Sequence, residues 1–283
     1  MGLYMANYTA ADIKALRERT GAGMMDVKKA LDEADGNFDK AIEVIRIKGL
    51  KGATKREGRS TAEGLVTAKV VDGTVGVMVE VNCETDFVAK SDKFVALADK
   101  VLETAVASGA ADVEALQAAD VDGKPLAEYV IEEGATLGEK VVVRRVSRIE
   151  GGQVDAYLHK TSKDLPAQVG VLMAVDKAGE EAAAAAHDIA VHAAAMAPTY
   201  LSRDEVPAET VENERRVAEE TAKAEGKPEA AMIKIVEGRL TGFYKEIVLT
   251  DQAFAKDTKK TVGKVLEEAG VAATAFTRFR VGS

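Results

Sequence analysis

The stretch "EGLVTAKVVDGTVGVMVEV", Glu63 to Val81, decides the fold. Two runs rich in β-branched residues flank Asp72-Gly73, a dipeptide suited to the left-handed conformations of a tight hairpin turn. Val75, Val77, Val79 and Val81 alternate, so one face of the second strand is expected to be buried. The octet "CETDFVAK", Cys83 to Lys90, comes next, and then the helical pattern "SDKFVALADKVLETAV". The octet reads as a strand-to-helix loop that sets Asp86 and Phe87 side by side where water is expected. A phenylalanine in a loop needs a pocket, in this chain or in another.

Working outward, the same pattern returns. "VGVLMAVD" (Val169 to Asp176) echoes "VGVMVEVN" (Val75 to Asn82), and helical "AAHDIAVHAAA" answers "VALADKVLETA". Further on, "KVLEEAG" answers "YVIEEGA", and "TAFTRFRVGS" answers "VRRVSRIEGG". Each copy reads strand, strand, helix, later helix, strand. Echoes kept in one order point to an internal repeat, so the core is read as two related α+β halves. The first covers residues 61–151; the second covers 152–202 and 248–283.

An insertion interrupts the second half. Residues 203–247 are dominated by two charged helical stretches separated by "EGKP" (Glu225 to Pro228), which predicts an antiparallel helical hairpin. Ahead of the core, Thr9 and Asp12 resemble a helix-starting box. Three short helical patterns follow, broken at "GAG" (Gly21 to Gly23) and at Gly36 and ending at Gly49, and they make a module over residues 5–49. Residues 50–60 are basic, glycine-containing and without periodicity, and read as a linker.

The chain has 283 residues and a formal net charge of -9. An acidic total argues against a protein that coats nucleic acid, which needs a basic surface. A structural RNA-binding role through the basic linker is the rival reading. Cys83 is the single cysteine, which excludes an internal disulfide and a cysteine-based zinc site and fits a reducing, cytoplasmic setting. No segment is apolar enough to read as a membrane span, and the N-terminus lacks the features of a signal peptide.

Motifs of covalent chemistry are missing. There is no phosphate loop and no nucleophile elbow, and "GAGMMD" follows a helix, where a dinucleotide fingerprint would follow a strand. Cys83 lies far along the chain from His159, His187 and His192, so it reads as a small buried residue. His187 and His192 are five positions apart, whereas helical metal pairs use three or four. No metal, cofactor or small-molecule substrate is expected.

Exposed groups stand out instead. Met24 and Met25 open a helix, with Lys28 one turn on; one methionine is expected to face the three-helix core and the other a partner. "TDFVAK" offers Thr85, Asp86, Phe87 and Val88, and "AYLHK" puts His159 at a strand end.

Three stretches together, "LRERTGAGMMDVKKALDEADGNFDKAIE", "VEVNCETDFVAKSDKF" and "KIVEGRLTGFYKE", closely resemble the bacterial elongation factor Ts family. The resemblance implies an N-terminal module of ubiquitin-associated type, a core of two repeated subdomains and an inserted coiled-coil hairpin. It implies guanine-nucleotide exchange on the GTPase elongation factor Tu, without covalent chemistry. By motif, Asp86 and Phe87 would reach the GTPase near its magnesium site, with Phe87 as a wedge. Met24, Met25 and Lys28 would dock on the same domain, and Leu137 (in "TLGEK") and His159 match further contact positions. "DQAFAKD" departs from the family's pattern, which leaves Phe254, Ala255 and Lys256 without an assigned contact.

Overall fold

The computed structural model describes residues 7–20 and 22–283, without the side chains of Leu50, Ala53 and Thr54. The expected module boundary at Met5 and the first glycine of "GAG" lie outside the described residues.

Three helices come first: α1 (Ala10–Thr20), α2 (Met24–Glu33) and α3 (Phe38–Arg56). The Thr9–Asp12 box forms as read: the Thr9 N–H donates to Asp12 Oδ2 at 2.7 Å and the Asp12 N–H to Thr9 Oγ1 at 3.2 Å. Leu16, Val27, Ala30, Leu31 and Ala41 close a small core among the three helices.

The third helix corrects the sequence reading. It does not stop at Gly49 but continues to Arg56, so most of the expected linker is helical. Gly49 serves close approach instead of termination. A Cβ there would stand 2.8 Å from the Ala135 Cβ on α7 (Leu126–Leu137), the core helix on which the module rests. Arg46 reinforces this contact by pairing with Glu128 and Glu132 of α7.

The core follows the repeat. Strands β1 (Glu63–Val71) and β2 (Val75–Cys83) form the expected hairpin, with Asp72 and Gly73 both at positive φ (51° and 71°). Then come a one-turn helix α4 (Asp86–Ala89), α5 (Asp92–Ser108), α6 (Val113–Ala118), the short pair β3 (Asp120–Val121) and β4 (Lys124–Pro125), α7, and β5 (Val142–Glu150). The second half repeats the plan with β6 (Gln153–His159), β7 (Val169–Val175) and α8 (Glu180–Met196). After the insertion it resumes with β8 (Ala253–Phe254), β9 (Asp257–Thr261), α11 (Val262–Glu268) and β10 (Ala273–Arg280). The sheet orders are β1-β2-β5 and β10-β7-β6, so the first two strands and the last strand of each half pair in the same way.

The two sheets pack face to face, with helices on their outer sides. Val77, Val79 and Val81 meet Phe94, Leu97 and Val101 of α5 in one core, and Val171, Met173 and Val175 meet Ile189 and Ala190 of α8 in another. Between the sheets lie Val66, Met78, Leu172 and Phe279. The glycines of the two "VGV" echoes set this spacing. A Cβ at Gly76 would stand 2.8 Å from Val154 Cγ1, and one at Gly170 would stand 2.5 Å from Val66 Cγ1. Strand β2 is therefore buried on both faces, where alternation predicted one. Its buried Glu80 is held by Arg145 and by Asn82 Nδ2 at 3.1 Å, which offsets the cost of a charge inside the stack.

The insertion carries α9 (Ala208–Ala224) and α10 (Met232–Ile247). They pack on each other through Ala218, Val236 and Leu240. Arg203 pins the base by donating to Asp251 Oδ1.

Candidate functional site

The octet after β2 is more ordered than a loop. Thr85 caps α4, its hydroxyl accepting the Val88 N–H at 3.4 Å, and Ser91 caps α5 by accepting the Phe94 N–H at 3.3 Å. Two caps six residues apart leave room for a single helical turn. Its inner side is Val88, half-buried against the first core, and fully buried Ala89. Its outer side is Asp86 and Phe87.

Phe87 is 73% exposed, so its pocket is not in this chain. Lys90 closes the turn from below: its Nζ lies 3.5 Å from Asp86 Oδ2 and 4.5 Å from the Phe87 ring centroid. An aromatic edge, a carboxylate and an ammonium are thus held on one short rigid element.

The turn is tied to the end of α7. Glu139 accepts the N–H groups of Glu84 (2.9 Å) and Thr85 (3.0 Å) on one oxygen and the Thr85 hydroxyl (2.5 Å) on the other. In return Glu84 accepts the Lys140 N–H at 2.7 Å and pairs with Arg59 at 3.1 Å. Burial works against ionisation of Glu84, but these donors outweigh it and hold its carboxyl below the usual range.

Leu137, two residues before Glu139, is half-buried on the first core. Across a cleft, Leu137 and Gly138 face Gly23 and Asp26 at the start of α2. Met24 and Met25 lie at this start and are both exposed, at 59% and 62%. The expectation that one of them enters the core is corrected: Val27, Ala30 and Leu31 fill that face of the helix. Lys28 is exposed one turn on.

The start of α2 and the end of α7 thus line one cleft, and Glu139, just beyond that end, joins it to the turn that begins at Thr85. His159 sits apart, exposed at the end of β6, with Nδ1 3.1 Å from the Tyr157 hydroxyl. Its neighbour Leu158 shares a cleft with Lys90, so the second half borders the turn from the other side. Sequence reasoning missed Glu139, because nothing in its local pattern points 54 residues back to Thr85.

The remaining candidates lie elsewhere. Cys83 is buried and donates to the Thr85 carbonyl at 3.3 Å; burial, aided by the Glu139 charge, pushes its thiol up to about 12. His192 is buried and His187 is exposed, so the helix points them into different surroundings. Phe254 is buried against the His192 ring at 5.9 Å, and Lys256 pairs with Asp188. Among the described residues, no group of three or more His, Cys, Asp or Glu is placed to hold a metal, and no helix is long and apolar enough to cross a membrane.

Comparison with known proteins gives the family. A family model described as "Elongation factor TS" matches residues 84–283. The elongation factor Ts of Arthrobacter sp. (strain FB24) is 80% identical over 279 residues, covering 99% of this chain and 100% of that protein. The protein of the same name from Paenarthrobacter aurescens (strain TC1) is 81% identical, and that of Micrococcus luteus is 74% identical, each over 279 residues with the same coverage. The chain belongs to the elongation factor Ts family.

Proposed function

We propose that this protein promotes release of GDP from elongation factor Tu during translation in the cytoplasm, acting without covalent chemistry, cofactor or metal of its own. One observation carries the reading: a phenylalanine held almost wholly outside its own protein by a capped, cross-linked turn. Exposing an aromatic ring in water forgoes about 1.5–3 kcal/mol of burial. A rigid mount for such a ring is useful when the ring enters a partner.

A GTPase holds its nucleotide through backbone amides, a lysine and a magnesium ion. A side chain that displaces an element beside that magnesium disturbs several of these contacts together. Each ~1.4 kcal/mol removed from the release barrier speeds release tenfold. In this reading Phe87 is the wedge, Asp86 makes the polar contact beside it, Thr85 and Val88 mount the turn, and Met24, Met25 and Lys28 hold the GTPase domain. Leu137 and His159 extend the contact toward another domain. The three-helix module is of ubiquitin-associated type, and α9 with α10 is a coiled-coil arm for the same partner.

Against the rival RNA-binding reading stand the net charge of -9 and, within the basic stretch, the pairing of Arg59 with Glu84 at 3.1 Å.

Thermodynamic linkage tests the proposal. If the protein weakens GDP binding by some factor, GDP weakens binding of the protein by the same factor. Calorimetric titration of elongation factor Tu with this protein, with and without GDP, and with GDP, with and without this protein, is expected to give two equal factors well above one. Affinity for this protein that is unchanged by GDP would contradict exchange.

A further inference from the structure

The Phe87 turn is not positioned by its own sequence alone. The three donors immediately before α4 (the N–H groups of Glu84 and Thr85 and the Thr85 hydroxyl) all converge on the carboxylate of Glu139, 54 or 55 positions along the chain. The Thr85 hydroxyl has one proton. That proton points at Glu139, which turns the lone pairs of the oxygen so that one accepts the Val88 N–H and caps the helix. Glu139 therefore orients the cap, and the cap sets where the single turn begins.

The reciprocal bond from the Lys140 N–H to Glu84, at 2.7 Å, makes the link a two-way clasp. Beneath it, Val88 and Ala89 pack on the core by apolar contact that does not involve Glu139. Packing fixes the depth of the turn, and the clasp fixes its direction. A carboxylate that accepts several hydrogen bonds is a stiff anchor, since charge-assisted bonds are shorter and stronger than neutral ones.

We propose that Glu139 is the positioning residue for Phe87: its carboxylate sets the direction in which the ring leaves the surface, and with it the efficiency of nucleotide exchange. This rests on the reading of Phe87 as the acting residue.

The test uses the full chain carrying Glu139→Gln, which keeps size and removes the anionic double acceptor. Three readouts separate positioning from folding. Amide hydrogen exchange at Glu84 and Thr85 is expected to accelerate at least tenfold, while core amides such as Val79 and Leu97 keep their protection. GDP release from elongation factor Tu is expected to lose about tenfold in kcat, with KM little changed, as for a group that acts only in the reactive arrangement. The double variant Glu139→Gln with Phe87→Ala is expected to be no slower than Phe87→Ala alone, because residues acting as one unit are not additive. Thr85→Val, which removes only the hydroxyl, is expected to give a smaller loss of the same kind. Losses that multiply in the double variant, normal exchange by Glu139→Gln, or lost protection at Val79 and Leu97 would each overturn the positioning role. Normal exchange by Phe87→Ala would instead overturn the reading of Phe87 itself, whatever Glu139 does.

Discussion

Phe87 and Phe94 stand seven positions apart on consecutive helices and face opposite ways: Phe87 lies outside the protein, and Phe94 is fully buried beneath it. Ser91, between them, caps the second helix and turns the chain through the change of direction.

The same substitution at these two positions is expected to do opposite things. Phe94→Ala removes a large side chain from the first core and is expected to cost about 3–5 kcal/mol in urea unfolding. Phe87→Ala is expected to change stability by less than about 0.5 kcal/mol. Its effect falls on exchange, expected to drop at least tenfold. Urea titration and GDP release on both variants check this.

Gly49 holds the three-helix module against α7. Alanine raises intrinsic helix preference by ~1 kcal/mol over glycine, but here its Cβ would meet Ala135 at 2.8 Å. Gly49→Ala is therefore expected to give no gain in melting temperature. It is also expected to weaken binding to elongation factor Tu several-fold, because Met24 and Met25 shift relative to Phe87. A stabilised variant with full affinity would show that the contact is not used.

His192 predicts an acid-side loss of stability. The Ala255 N–H donates to Nδ1 at 3.1 Å, so Nε2 carries the proton and donates to Gln252 Oε1 at 2.9 Å. Burial lowers the pKa of this neutral ring, against the Gln252 bond that raises it. The unfolded chain takes up a proton near the ordinary value of 6.5, before the folded chain does. Stability from this site is thus complete above that pH and falls as pH drops through it toward the lowered folded value. Thermal melts from neutral to acid pH are expected to show this slope, and His192→Gln is expected to flatten it.

Cys83 is expected to be inert. Its thiol is pushed up to about 12 by burial, and the thiolate is the reactive form. Alkylation by iodoacetamide is expected to be negligible in the native protein and complete in denaturant. Rapid native labelling would mean that the strand end opens.

Much of the fold is legible in the sequence because the repeat writes each element twice. "VGVM" and "VGVL" mark the two central strands, and their glycines mark the contact between the sheets. What escaped reading depends on distant partners. Gly49 lies where α3 passes close to Ala135, and from sequence a lone glycine in a basic stretch looks like an end. The strand pairs β3–β4 and β8–β9 are too short for periodicity to register. In the candidate site Phe87 was legible as a side chain without an internal reason, and so was one of Met24 and Met25; that both methionines are exposed was not. The mount of Phe87 was not legible either, because Glu139 meets Thr85 only after the chain has folded.

The most direct measurement is release of fluorescent GDP from elongation factor Tu with this protein at substoichiometric amounts. The account predicts multiple-turnover acceleration, each molecule of this protein emptying many GTPases. No acceleration, from a GTPase that still releases GDP when magnesium is chelated, would contradict it.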